Sequence, residues 1–172
     1  MITLDIGCGN NKTNGTIGLD RVRTDGVDIL CDIEQSLPLK SRTIDKIIAS
    51  HVLEHMGDVI KTLEEIHRVL KMGGVAIIEV PHVRSLGAFM DPTHKHFFTI
   101  MTMDYFTDES AFNYYSHARF RIMRKELKFK PRWLQWLFNL RPEFTERLIG
   151  IVPVKANIYW VLEKSVAGKM HE

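Results

Sequence analysis

The stretch that decides the fold is ITLDIGCGN, residues 2–10. ITLDI reads as a buried strand, and the chain then bends through Gly7 and Gly9 into GCGNNKTNGT, a loop rich in glycine and asparagine. A strand that ends in G-x-G brings backbone N–H groups close to a ligand at the carboxyl edge of a parallel sheet. Working outward, TIGLD at 16–20 is a second strand and VDILCDI at 27–33 a third, followed by the turn-like EQSLPLKSRT. DKIIASHVL at 45–53 contains a fourth, ending near Ser50, and GVAIIEV at 74–80 is a fifth, stopped by Pro81. From Asp58 to Met72, Val59, Ile60, Leu63, Ile66, Val69 and Leu70 recur at helical spacing, with Asp58 as cap and the glycines of KMGG as terminator. Strands that are mostly apolar throughout, joined by such a helix, predict a parallel sheet with right-handed crossovers.

After Pro81 the pattern loosens. HVRSLGAFMDPTHKHFFT reads as a long functional loop, with helical turns near TMDYFTDESAFNYY. RFRIMRKELKFK at 119–130 alternates as a half-exposed strand does. Pro131 starts a helix through RWLQWLFNL, Pro142 breaks it, EFTERLIG adds a second piece, and KANIYWVLEKS at 155–165 is a final strand.

The 172 residues fit one domain, 1–172, with a cofactor half at 1–81 and an acceptor side at 82–172 made of loop, basic strand, C-terminal helix and strand. No apolar run approaches the ~18 residues of a membrane span. Two cysteines, Cys8 and Cys31, form no disulfide framework, and a reducing cytoplasm is the expected compartment. Residues 1–118 carry 11 Lys/Arg against 16 Asp/Glu, whereas residues 119–172 carry 12 against 5. A basic C-terminal third suits an anionic partner, but such a surplus is more often a solvated face. With no recognised nucleic-acid module in view, nucleic acid is disfavoured as a partner.

Three acids qualify the glycine loop. Asp5, Asp20 and Asp32 each stand at or near a strand end, and parallel strands bring those ends to one edge. Acids also punctuate strand ends as turn formers. A dinucleotide needs a third glycine where Lys12 stands, and an acid further on than Asp20, which comes only eleven residues after Gly9. That disfavours a nucleotide-dependent oxidoreductase. A ligand with an amine, a ribose and an adenine but no phosphate, such as S-adenosylmethionine, suits the three acids better.

Together DIGCGN, GLD, CDIE with SLPL, IDKIIASHVLEH and LEEIHRVLKMGGVAIIEVP resemble the class I S-adenosylmethionine-dependent methyltransferases, close to the methyltransferase-11 group. The resemblance covers residues 2–81 closely and NIYWVLEK more loosely, and DPTHKHFFT is similar to short members associated with sugar or envelope metabolism. It implies an α/β, Rossmann-like, mostly parallel sheet of about seven strands with an antiparallel final strand. It further implies that Asp5, Gly7, Cys8 and Gly9 cradle the methionine end of the cofactor. Asp20 would take the ribose hydroxyls, Asp32 and Ile33 the adenine, and Ser50 and His51 would lie near the sulfonium. Cys8 is then only a small residue between glycines, and its strand lies too far from that of Cys31 for a disulfide. The family's helices before strand one and in the next two crossovers find no room: only about nine and about six residues join strands one to three. The sheet face they would cover needs another cover.

Methyl transfer from a sulfonium asks the protein to align a nucleophile and exclude water. A hydroxyl or amine acceptor also benefits from a base, and histidine suits. His94 is the first candidate because the resemblance places its loop over the acceptor; His82 and His51 follow, while His55 and His67 read as helix-surface residues. Asp91, His94 and His96 have metal-ligating chemistry, but one loop supports a metal poorly and no metal is expected. The resulting expectation is methyl transfer to a small-molecule or glycan-like acceptor, the rival being an S-adenosylmethionine-binding regulatory module without chemistry. The stripe Trp133, Trp136, Leu137 and Leu140 suits a membrane surface less well than the bare sheet face. A homodimer is expected, with that stripe in its interface or packed on the sheet.

Overall fold

In the computed structural model, which describes residues 1–129, 135–149 and 156–165, the apolar runs form one seven-stranded sheet. The strands are β1 (Thr3–Ile6), β2 (Ile17–Asp20), β3 (Ile29–Leu30), β4 (Ile44–Ser50), β5 (Leu70–Pro81), β6 (Phe120–Phe129) and β7 (Ala156–Lys164). Their order is β3-β2-β1-β4-β5-β7-β6. The first five are parallel, and β7 runs antiparallel to both its neighbours. The expected Rossmann-like sheet with its antiparallel final strand is therefore present.

The order follows from the connections. Helix α1 (Val59–Val69) carries the chain from β4 to β5, long enough to cross back in parallel. Asp58 caps it, its Oδ1 accepting the Lys61 amide at 3.0 Å. The helix stops before the glycines: Leu70 is already extended, and Gly73 and Gly74 instead occupy a register shift between Ile44–Leu70 and Lys46–Val75. β3 is shorter than its apolar run because the Asp32 side chain accepts the Glu34 amide at 3.0 Å and begins a 3₁₀ turn, Ile33–Gln35. The loop after Pro81 contains a short helix, α2 (Leu86–Met90), and 3₁₀ turns follow at Thr102–Phe106 and Asn113–Tyr115. Beyond β6 come α3 (Gln135–Phe138) and α4 (Pro142–Ile149), the proline at the first helical position.

The two sheet faces are covered unequally. Ile47, Ala49, Ala76, Ile78, Ile158 and Trp160 are buried in one cluster with Leu63, Ile66 and Val69 of α1. The alternate residues Ile48, Ile77 and Val161 lie in one cross-strand row, continuous with Asp5, and are only half-buried. No helix intervenes between β1 and β2 or between β2 and β3, as their short connections required. Trp136 and Leu140 do not cover this face, being 69% and 67% exposed. Trp133 lies outside the described residues, as does the Leu137 side chain. No helix among the described residues is long and apolar enough to cross a membrane.

Candidate active site

The opening loop is shaped by close approach. Gly7 turns at φ +64°, its amide reaching Leu19 O at 2.7 Å, and a Cβ there would lie 2.5 Å from Val52 Cγ2. Only glycine meets both conditions. Gly9 (φ +48°) differs, because a Cβ on it meets nothing within 4 Å: the loop turns an open backbone surface outward. Nearby backbones press together, since a Cβ on Gly18 would come 2.3 Å from Gly26 O and one on Gly26 2.6 Å from Gly9 O. These two glycines escape a sequence reading because no short motif links them to Gly7.

Carboxylates hold the loop. Buried Asp5 accepts the Thr13 amide at 2.7 Å, and Asp20 accepts Gly9 N on Oδ2 and Val22 N on Oδ1, each at 2.9 Å. Asp28 takes Gly18 N at 2.7 Å and Lys12 at 3.0 Å, and these contacts hold its carboxyl below the usual range. Burial pushes the Cys8 thiol up, with Asp5 and Asp20 adding to the effect, so it is a poor nucleophile. Ile33 is buried beside the Asp32 cap, and Ser50 is exposed at the end of β4. These residues fit S-adenosylmethionine. Asp20 commits one lone pair per oxygen and, with about four available, retains capacity for a diol. The open side of Gly9 admits a ligand against the backbone.

Beyond Ser50 the chain makes a sharp corner. His51 adopts φ +58°, uncommon outside glycine, with its amide on Glu79 O at 2.8 Å. His51 Nδ1 meets Oε1 of Glu54, a carboxylate only 1% exposed, at 2.9 Å. The pairing holds the His51 imidazole above its ordinary pKa against the opposing effect of burial. On the other side Asn157 Nδ2 lies 3.2 Å from His51 Nε2 and 2.8 Å from Glu79 Oε1. Burial raises Glu79, but Lys128 and Asn157 outweigh it and keep the carboxyl low. Lys128 also stands over the Tyr159 ring, 4.0 Å from its centre.

His51, His55, Glu79, Asp91, His94 and Asn157 are among the residues around a cleft of about 1030 Å³, large enough for a small molecule. His94 is on its wall, Nδ1 on Ala88 O at 2.9 Å and its ring edge-on to His55 at 4.7 Å. His82 is elsewhere. It is fully buried, Nδ1 accepts the Arg84 amide at 3.1 Å, and Nε2 meets Glu146 at 2.8 Å. With both nitrogens engaged out of reach of the cleft, it acts as a structural pin, which corrects its candidacy as a base. A larger hollow of about 1250 Å³ between residues 96–112 and β6 touches none of the cofactor-edge residues. Sequence reasoning missed Glu54, Glu79, Lys128 and Asn157. Glu79 alone carried a signal, as an acid inside an otherwise apolar strand.

The methyltransferase-11 family model, described as a methyltransferase domain, matches residues 16–78, a span that includes Asp20, Asp32, Ser50 and His51. A rice (Oryza sativa subsp. japonica) chloroplastic 2-methyl-6-phytyl-1,4-hydroquinone methyltransferase is 27% identical over 115 residues, covering 66% of this chain. The chain spans about a third (32%) of that relative's length. Among solved structures, an S-adenosylmethionine-dependent methyltransferase from Archaeoglobus fulgidus superposes with a TM-score of 0.66 at 21% identity, over 94% of this chain and 85% of that one. One from Mesorhizobium loti gives 0.60 at 18%, over 95% and 90%. Residues 16–78 are thus similar to the methyltransferase-11 domain, and the chain shares the fold of these S-adenosylmethionine-dependent methyltransferases.

Proposed function

We propose that the protein transfers a methyl group from S-adenosylmethionine to a hydroxyl or amine of a small-molecule or glycan-like acceptor held in the 1030 Å³ cleft. The observation that carries this is the position of His51. It is the residue on which the cofactor edge ends and the cleft begins, with Ser50 on one side and Asn157 on the other. The rice relative is named for a hydroquinone, itself a small molecule. On this reading the chain is one domain, cofactor half 1–81 and acceptor side 82–172, working in the cytoplasm.

S-adenosylmethionine, when bound, supplies a methyl group on an already activated sulfonium. Asp5 and Asp20 keep the glycine loop open for it, Asp32 and Ile33 form the adenine end, and Cys8 fills space. His51 takes the acceptor's proton on Nε2. Glu54, at Nδ1, holds that tautomer and steadies the charge. His51 precedes His94 in this role because its side chain is 45% exposed and that of His94 7%. Calorimetry with S-adenosylhomocysteine and with NADH, followed by labelled methyl transfer into a metabolite extract, tests the reading. Binding of the first ligand and a labelled small product are expected. NADH binding alone would indicate an oxidoreductase, and tight cofactor binding without any product a regulatory module.

A further inference from the structure

We propose that Glu54, His55 and His94 form a binding site for a first-row divalent metal ion, with zinc the closest match to the donor set, in the wall of the acceptor cleft. One ligand atom from each lies within 4.8 Å of the other two. Two imidazoles and a carboxylate from three side chains leave a coordination position open, the composition of catalytic rather than structural zinc sites. Bonds of ~2.1 Å would bring tetrahedral ligand atoms ~3.4 Å apart, so the three need to close by little more than 1 Å.

A second observation points the same way. Glu54 is 1% exposed, and while Oε1 meets His51, Oε2 is buried with no hydrogen-bond partner. A buried charged oxygen left unpaired is rare in a folded protein and asks for a cation. The histidines are prepared as well. Thr93 donates its hydroxyl to Asp91 at 2.6 Å, so at 2.9 Å it accepts from His55 Nδ1, which leaves the lone pair on Nε2. His94 Nδ1 donates to Ala88 O at 2.9 Å, again leaving Nε2 as the acceptor. Asp91 Oδ2, at 4.0 Å from that atom, is too far to claim it by hydrogen bonding. Metal-ligating histidines have this pattern, one nitrogen fixed by an outer acceptor and the other free for the ion. The site differs from the loop trio Asp91, His94 and His96 that the sequence offers: only His94 is shared, and Glu54 and His55 come from the corner after β4.

Its use rests on the methyl-transfer reading. His55 and His94 line the cleft, where a divalent ion would hold an acceptor oxygen and favour loss of its proton to His51, which singles out hydroxyl-bearing acceptors. Binding can be tested without that use. Zn2+ titrated by calorimetry into chelator-treated protein should bind at one ion per chain, and Co2+ should give a visible absorption band. His55→Gln and His94→Gln should each weaken Zn2+ by more than about 100-fold, beyond the range of outer-shell changes. His117→Gln, on an exposed residue away from the cleft, should not. Glu54→Gln should weaken it too, and because that site is buried its fold is checked by circular dichroism. No Zn2+ binding by the parent protein, or binding that survives both histidine changes, would overturn the proposal. S-adenosylhomocysteine affinity in the same samples reports on the methyl-transfer reading separately, since none of these residues lies on the cofactor edge.

Discussion

The cofactor edge and the acceptor cleft meet at His51 but are assembled over different distances. The edge is held by partners close in the chain: Asp5 to Thr13, Asp20 to Gly9 and Asp28 to Gly18, separated by 8, 11 and 10 residues. The cleft depends on Asn157 reaching His51 and Glu79, and on Lys128 reaching Glu79, across 106, 78 and 49 residues. A loop closed by its own carboxylates takes shape as its strands pair. The cleft exists only once β7 has docked on β5 and β6 on β7.

If the two regions are separable, damage to one should spare the other. His51→Gln should lower turnover by about 100- to 10,000-fold with S-adenosylhomocysteine affinity nearly intact, the usual cost of a lost base. Parent-rate transfer by this variant would move the base to His94. Asp20→Ala should do the reverse. Losing hydrogen bonds to a charged group costs about 1.5–3 kcal/mol, or roughly 10- to 150-fold in cofactor affinity. Because Asp20 also fixes the Gly9 and Val22 amides, its effect should exceed that of Asp20→Asn. Equal S-adenosylhomocysteine affinity for parent and Asp20→Ala would remove this residue from the edge.

The half-covered row Ile48, Ile77 and Val161, continuous with buried Asp5, underlies both regions. A second copy of the chain laid across it would shield both at once, and light scattering at micromolar concentration should then report twice the 19.9 kDa monomer mass. A monomer would leave the row to the solvent and separate the two regions further.

The smallest effect belongs to the sealed side, away from both. Burial, with Lys164 adding to it, lowers the His67 pKa. The folded state then binds that proton less readily than the unfolded chain. His67 therefore contributes full stability above its unfolded value of about 6.5 and loses it as pH falls through the folded one. The parent should lose thermal stability between pH 7.5 and 5 more steeply than His67→Gln. Parallel curves would show that His67 is not responsible.

Much of this architecture is decided by local chemistry. Apolar runs of strand length, a helix of period 3.6 behind Asp58, and connections too short for crossover helices determine the parallel core, its Rossmann-like class and the glycine loop with Asp5, Asp20 and Asp32. All of these act over a few residues, which is the range at which sequence pattern and backbone preference coincide. Tertiary structure alone decided the rest. KMGG reads as a helix stop but lies in a strand, because pairing of β5 with β4 begins at Leu70 and outweighs glycine's local preference. His82 looks like a ligand-edge base but is pinned by Glu146, 64 residues away. Glu54 carries no signal in the sequence but is buried beside His51, His55 and His94. Side-chain burial and pairing across long separations are settled by which strands stack beside which, and no short stretch of sequence contains that information.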